Sequence, residues 1–252
     1  MFCAALPYTG TMVRVLRPVP AESLKLLVFD LDGTLIDSAK DLCNSVNATL
    51  GAFGHDPLPD KQIAGFIGDG AMMLMRRALA VAYGSGVDEA FLARAYDFFL
   101  DYYREHKLDF TYAYHGVIEA LAALATRADG QKRQMAVLTN KPVKPARAIC
   151  EALGLAPFFM RIYGGNSFKT KKPDPEGMRT VMAEAGAAAE ETAMIGDSEV
   201  DVQTARNAGT WVVGCTFGLA PQTLEAAPPD VLVDSPLDWT LALQTERIKI
   251  ER

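Results

Sequence analysis

Leu26-Leu27-Val28-Phe29 is an unbroken apolar run with no polar alternation, the pattern of a strand buried on both faces of a parallel sheet. Past Thr34 the period changes. Leu42, Val46, Leu50 and Phe53 recur every three or four residues and give a helix one apolar stripe, until Gly54, Pro57 and Pro59 interrupt it. A second helix is expected after Gly70, with Leu74, Met75, Ala78, Leu79 and Ala82 on one face. A third runs from about Asp88 to Glu105, where Phe91, Leu92, Ala95, Phe98, Phe99 and Tyr102 read as packing between helices.

Beyond this helical stretch, strands and helices alternate. A helix over 116–127 leads to the strand Met135-Ala136-Val137-Leu138, then to a helix that Pro142 opens and Gly154 closes. A short strand at Arg161-Ile162-Tyr163 precedes a helix from about Pro175 to Ala185. Ala193-Met194-Ile195, a helix ending at Gly209, Trp211 to Gly214, and Val231-Leu232-Val233 complete the series. Such alternation implies an α/β fold, a doubly wound, Rossmann-like parallel sheet. A small all-helical cap is inserted after its first strand. The expected divisions are an α/β core over 24–39 and 111–245, a cap over 40–110, and a poorly ordered N-terminal extension over 1–23. That extension holds Pro7, Gly10, Pro18 and Pro20 without a long apolar run, so it does not read as a signal peptide, and Met12 is a second candidate start.

Composition narrows the function classes. Half of the 252 residues are hydrophobic, and mean hydropathy is +0.07, as for a packed water-soluble core. A net charge of -6 argues against a nucleic-acid surface. No segment has the ~18 apolar residues that cross a membrane. Cys3, Cys43, Cys150 and Cys215 are scattered, with neither metal-ligand spacing nor a disulfide framework, and fit a reducing, cytoplasmic setting. His55, His106 and His115 form no pattern.

The candidate chemistry lies where strands should end. Asp30-Leu31-Asp32-Gly33-Thr34 follows the first buried run, and open α/β sheets bind ligands at the carboxyl ends of their strands. Alone, this pentapeptide fits an acidic turn closed by Gly33 equally well. Three more polar clusters share the expected edge. Thr139-Asn140-Lys141 follows Leu138, Lys172-Pro173-Asp174-Pro175 follows the Ile162 strand, and Gly196-Asp197-Ser198-Glu199-Val200-Asp201 follows Ile195. Each alone reads as a capped helix start, a solvated loop or an acidic first turn. Together, at one edge of one sheet, they point to a site.

These four clusters, in this order, resemble the four motifs of the haloacid-dehalogenase-like (HAD) phosphatases, and the resemblance runs from about Leu26 to Leu243. Phe66-Ile67-Gly68-Asp69-Gly70-Ala71, Leu138-Thr139-Asn140-Lys141-Pro142 and Lys171-Lys172-Pro173-Asp174-Pro175 are similar to the phosphoglycolate phosphatase group. One departure is Asn166 in Gly164-Gly165-Asn166, where relatives often carry Asp. The resemblance implies a magnesium-dependent phosphatase of a small phosphate monoester, with 2-phosphoglycolate, yielding glycolate and phosphate, as the leading substrate. Asp30 would be the nucleophile that forms an aspartyl-phosphate, and Asp32 the acid and base. Asp30, Asp197, the backbone carbonyl of Asp32 and, through water or from behind, Asp201 would hold magnesium. Thr139 and Asn140 would bind phosphoryl oxygens, and Lys172 would offset the negative charge.

Asp32 also separates the chain from the hydrolytic dehalogenases of the same fold, which use neither this second acid nor a metal. Substrate choice falls to the cap. Gly68, Asp69 and Gly70, before a helix start, with Arg76, are candidates for a carboxylate, though turn glycines and a solvated arginine describe them as well. Alternatives within the same chemistry are pyrophosphate, a nucleoside monophosphate, a sugar phosphate, or a sugar-phosphate mutase. A non-catalytic binding protein and a dinucleotide-binding enzyme are weaker, since the six polar motif residues are intact and no G-x-G-x-x-G turn opens the first β–α unit. The expected partner is a small phosphorylated substrate, with no nucleic acid or membrane, and a monomer or homodimer as the assembly.

Overall fold

A computed structural model describes residues 13–84, 87–127 and 129–244. Among the described residues the first element is β1 (Arg14–Val15), and the wholly buried β2 (Leu26–Phe29) enters the sheet's centre. β3 (Ile36–Asp37) leads into four helices, α1 (Ala39–Ala52), α2 (Asp60–Ala64), α3 (Ala71–Tyr83) and α4 (Glu89–His106). β4 (Tyr112–Ala113) brings the chain back, followed by α5 (Val117–Leu124), β5 (Gln134–Leu138), α6 (Val143–Ala152) and β6 (Arg161–Tyr163). α7 (Glu176–Ala185), β7 (Thr192–Gly196), α8 (Glu199–Ala208), β8 (Trp211–Cys215), β9 (Val231–Val233) and α9 (Asp238–Gln244) complete it.

The main sheet has the order β1-β9-β8-β7-β2-β5-β6, and every pairing except β1 with β9 is parallel. Side chains alternate across it. Leu27 and Phe29 pack with α5, α6 and α9, while Leu26 and Val28 pack with α7 and α8, so helices cover both faces. From β2 the chain moves to β5 and β6 on one side, then crosses to β7 on the other. That reversal opens a crevice at the carboxyl end of β2. Phe29 lies opposite Val137 of β5 and Ile195 of β7, so the residues just past all three strands come level at one edge.

The helices between β3 and β4 have their own core. Leu42, Val46 and Leu50 of α1 meet Leu74, Met75, Ala78 and Leu79 of α3 and Leu92, Ala95, Phe99 and Tyr103 of α4. α4 starts where Asp88 accepts the Phe91 amide at 2.6 Å. The two chain crossings into this unit are tied together. β3 and β4 pair antiparallel, and buried Asp41 accepts the amides of Phe110 and Thr111 and the Thr111 hydroxyl.

The N-terminal extension requires a correction. Residues 1–12 lie outside the described residues, but Arg14–Val15 pairs with Leu232 and Val231 at the sheet edge. Arg17 then reaches buried Asp230 at 2.6 Å. A two-residue strand ahead of Pro18 and Pro20 is too short for any alternation to reveal it. Among the described residues, no helix is long and apolar enough to cross a membrane. Cys43, Cys150 and Cys215 are buried and free, and Cys3 lies outside the described residues.

Candidate active site

Asp30 follows β2 directly, its amide bonded to the Ile195 carbonyl at 2.8 Å. The chain then turns sharply at Gly33, whose φ of +86° is a left-handed conformation glycine adopts without strain. A Cβ there would also lie 2.2 Å from Asp197 Oδ2. Asp197 comes from the end of β7, and its Oδ2 accepts the amides of Leu219 and Ala220 at 2.7 and 3.0 Å. Asp201, in the first turn of α8, fits against the bare Cα of Gly196, where a Cβ would meet Asp201 Cγ at 2.2 Å. Its Oδ2 accepts both the Ser198 hydroxyl at 2.7 Å and the Ser198 amide at 3.2 Å, which ties down the start of the helix.

Lys172 is the cation among these acids. From the loop after β6, its buried Nζ lies 2.6 Å from Asp201 Oδ1 and 2.8 Å from Asp30 Oδ1. One oxygen each of Asp30, Asp197 and Asp201 falls within 4.8 Å of the others, all three side chains being buried. Three carboxylates thus crowd together, and the one ammonium contacts two of them. Burial pushes the Asp30 carboxyl up to about 6 against the pull of Lys172. Burial, then Asp201 and Asp30, push Asp197 up to about 8 despite its two amide donors. Burial would lower Lys172, but Asp201 and Asp30 hold it well above its ordinary value. Oxygen-only donors with this excess of negative charge fit a hard divalent cation such as magnesium.

The Asp32 carboxylate stands apart from that cluster. Lys141 Nζ approaches its two oxygens at 2.8 and 3.1 Å, and the Ser38 hydroxyl donates to Oδ1 at 2.5 Å. The two acids of the Asp30-Leu31-Asp32 segment therefore face different partners, as an acid–base pair with divided roles requires. Burial opposes the charge on Lys141, but Asp32 and Tyr103 together outweigh it and raise the ammonium's pKa. Neither Lys141 nor Ser38 was given a role from the sequence. Lys141 stands beside Thr139 and Asn140 in the chain, and that adjacency was the available signal.

Thr139 is buried and lines the cleft, its hydroxyl accepting the Lys141 amide at 3.2 Å. Asn140 also lines it, but its side-chain amide donates to the carbonyls of Lys172 and Gly68 at 3.1 and 3.2 Å. That side chain braces the loop after β6 and the 68–70 loop, so any phosphate contact from Asn140 must come from its backbone. Lys171 adds a second tie to the Asp69 carbonyl. Asn166 accepts the Val143 amide at 2.9 Å at the start of α6, a task Asp would perform equally.

The four residues expected to select the substrate separate. Gly68 and Gly70 line the cleft. The Asp69 carboxylate turns to Arg77 instead. Arg76 is corrected: Glu89 takes its guanidinium in a two-pronged pair at 2.7 and 2.9 Å, away from the cleft. On the helical side the walls are Leu42, Ile67, Leu74, Phe99 and Leu100, with Tyr103 between them and the Asp32–Lys141 pair. The cleft holds about 50 Å³ between these walls and adjoins, past Leu100, Tyr103, Pro142 and Pro145, a hollow of about 400 Å³ that Arg104, Lys107 and Lys144 also line.

The comparisons with known proteins agree with this geometry. Residues 27–215 match the family model described as haloacid dehalogenase-like hydrolase. A protein of Pseudomonas syringae pv. tomato named phosphoglycolate phosphatase is 41% identical over 197 residues, 77% of this chain and 70% of that one. One of the same name from Vibrio parahaemolyticus is 34% identical over 85% of this chain and 93% of its own. A crystal structure described as a predicted phosphoglycolate phosphatase from Haemophilus somnus superposes with a TM-score of 0.82 at 31% identity, covering 88% of this chain and 99% of that one.

Proposed function

The chain belongs to the haloacid dehalogenase-like hydrolases, in their phosphoglycolate phosphatase-like group, and from that premise we propose a magnesium-dependent phosphatase that hydrolyses 2-phosphoglycolate through an aspartyl-phosphate. The observation that carries this reading is the buried cluster of Asp30, Asp197 and Asp201 around Lys172, with the separately held Asp32 beside it.

In the first step an Asp30 oxygen attacks phosphorus as the ester P–O bond breaks, and Asp32 delivers a proton to the departing alkoxide. In the second, Asp32 takes a proton from water, the water oxygen attacks phosphorus, and the Asp30–phosphorus bond breaks to release phosphate. Lys172 opposes the charge on the transferring group, and the Thr139 hydroxyl donates to a phosphoryl oxygen. Ser38 and Lys141 keep Asp32 out of the carboxylate cluster and so reserve it for proton transfer. Asp30, Asp197 and the Asp32 carbonyl would hold magnesium, with Asp201 behind them, and the ion would supply positive charge to the phosphoryl group. The relatives' names support 2-phosphoglycolate as the substrate.

Asp30→Asn should abolish phosphate release from 2-phosphoglycolate while the circular dichroism spectrum stays that of wild type. Chelation should silence the wild-type enzyme and magnesium restore it. Substantial turnover by Asp30→Asn overturns the nucleophile. Equal rates across pyrophosphate, nucleoside monophosphates and sugar phosphates overturn the substrate.

A further inference from the structure

The end of the cleft away from Asp30 has walls that are almost wholly apolar. Among the described lining residues contributed by the helices, Tyr103 alone brings a polar side-chain atom. It is 3% exposed, and its hydroxyl oxygen faces the Lys141 ammonium, which can only donate, so the hydroxyl proton meets no acceptor among the described residues. A buried hydroxyl proton without an acceptor is costly and uncommon. Lys141 is equally enclosed at 5% exposure, 4.9 Å from the Tyr103 ring centroid and clamped on Asp32. An ammonium has three donors in all, and the two contacts to the Asp32 carboxylate leave capacity for another acceptor. Donors therefore converge here without enough acceptors.

Substrate chemistry locates the missing acceptor. Asp32 must reach the ester oxygen to protonate it. In a phosphorylated 2-hydroxy acid the carboxylate carbon is only two covalent bonds from that oxygen. The carboxylate of a substrate engaged by Asp32 therefore arrives beside Asp32's own partner, Lys141, and next to Tyr103. We propose that Lys141 and the Tyr103 hydroxyl form the carboxylate subsite of this enzyme, selecting phosphate esters of small 2-hydroxy acids. This deepens the phosphatase reading above and rests on it. The role expected of Arg76 passes to a lysine and a tyrosine from opposite walls of the cleft, so a complete subsite exists only when α4 lies over the core.

The test compares kcat/KM of the magnesium-loaded enzyme for 2-phosphoglycolate and for 2-hydroxyethyl phosphate, which has a hydroxymethyl group in place of the carboxylate. Wild type should prefer the carboxylate ester. Tyr103→Phe should cut that preference by roughly 10- to 100-fold, the worth of one hydrogen bond to a charged group, mostly through KM. Lys141→Met should slow both esters, because it also frees Asp32, but should reduce the preference at least as much as Tyr103→Phe. An unchanged ratio in Tyr103→Phe, or parallel losses for both esters in Lys141→Met, overturns the subsite. Wild-type rates that are high and equal for the two esters overturn it while leaving the phosphatase intact. Hydrolysis of neither overturns both readings.

Discussion

Replacing Asp197 with asparagine separates the account of a metal-holding carboxylate cluster from that of a merely acidic pocket. Like charges at separations up to 4.8 Å repel by ~3 kcal/mol at an effective dielectric constant of about 20. Lys172 offsets part of this, but its contacts go to Asp30 and Asp201 rather than to Asp197. In Asp197→Asn the side-chain carbonyl would still accept the Leu219 and Ala220 amides, and the new amide would offer a donor in place of the second carboxylate oxygen. The metal-free variant should therefore be more stable than wild type by on the order of 3 kcal/mol at pH 8.

The sign follows from linkage. The Asp197 carboxyl is raised from 3.8 to about 8, so the folded protein holds this proton more tightly than the unfolded chain. Metal-free wild type thus loses stability as pH climbs from about 4 to about 8, a loss that Asp197→Asn does not share. With magnesium that gap closes. Wild type gains about 2.7 kcal/mol at a hundredfold excess over Kd, whereas the variant, lacking a ligand, gains little. Urea unfolding in chelator at pH 5 and pH 8, repeated with magnesium, measures all of this. A variant less stable than wild type in chelator at pH 8, or one with the same magnesium response, refutes the reasoning.

Gly33→Ala should cost at least ~1 kcal/mol of stability from the left-handed φ alone. It should also raise the apparent Kd for magnesium, because the new Cβ displaces the Asp197 carboxylate, and titration calorimetry reads the change. At the sheet edge, burial raises Asp230, but Arg206, Arg17 and the Val212 amide outweigh it and hold the carboxyl below its usual value. The stability this contributes is present above the ordinary carboxylate range and is lost as pH falls below about 4. Asp230→Asn should therefore flatten the acid limb of a pH–stability curve, followed by tryptophan fluorescence, and an unaltered limb contradicts the assignment.

Much of the fold was legible because its elements bury regular faces. The runs at Leu26 to Phe29 and Ala193 to Ile195, and even the three-residue Arg161-Ile162-Tyr163, carried strand patterns that the structure keeps. Edges were not legible: Arg14–Val15 and the two-residue ribbon of β3 and β4 are shorter than any period. The carboxylate cluster was readable because each member closes a strand or opens a helix. Arg76 was misread although the helix period was known. Ala71 and Leu74 of α3 line the cleft, and two residues past Leu74 the helix has turned toward Glu89. Tyr103 was passed over within a run of packing aromatics. Its neighbour Lys141 meets Asp32 across 109 positions of chain, a distance that only the fold closes.

The aspartyl-phosphate on Asp30 is the claim on which the mechanism stands, and trapping it is the most direct test. Asp32→Asn with magnesium and an aryl phosphate, whose leaving group needs no protonation, should complete the first step and stall before the second. The account predicts a burst of one aryl alcohol per enzyme. Borohydride treatment of the quenched protein should then convert Asp30 alone to homoserine, as read by peptide mass spectrometry. A burst with no modified residue, or with the label on any residue other than Asp30, would contradict it.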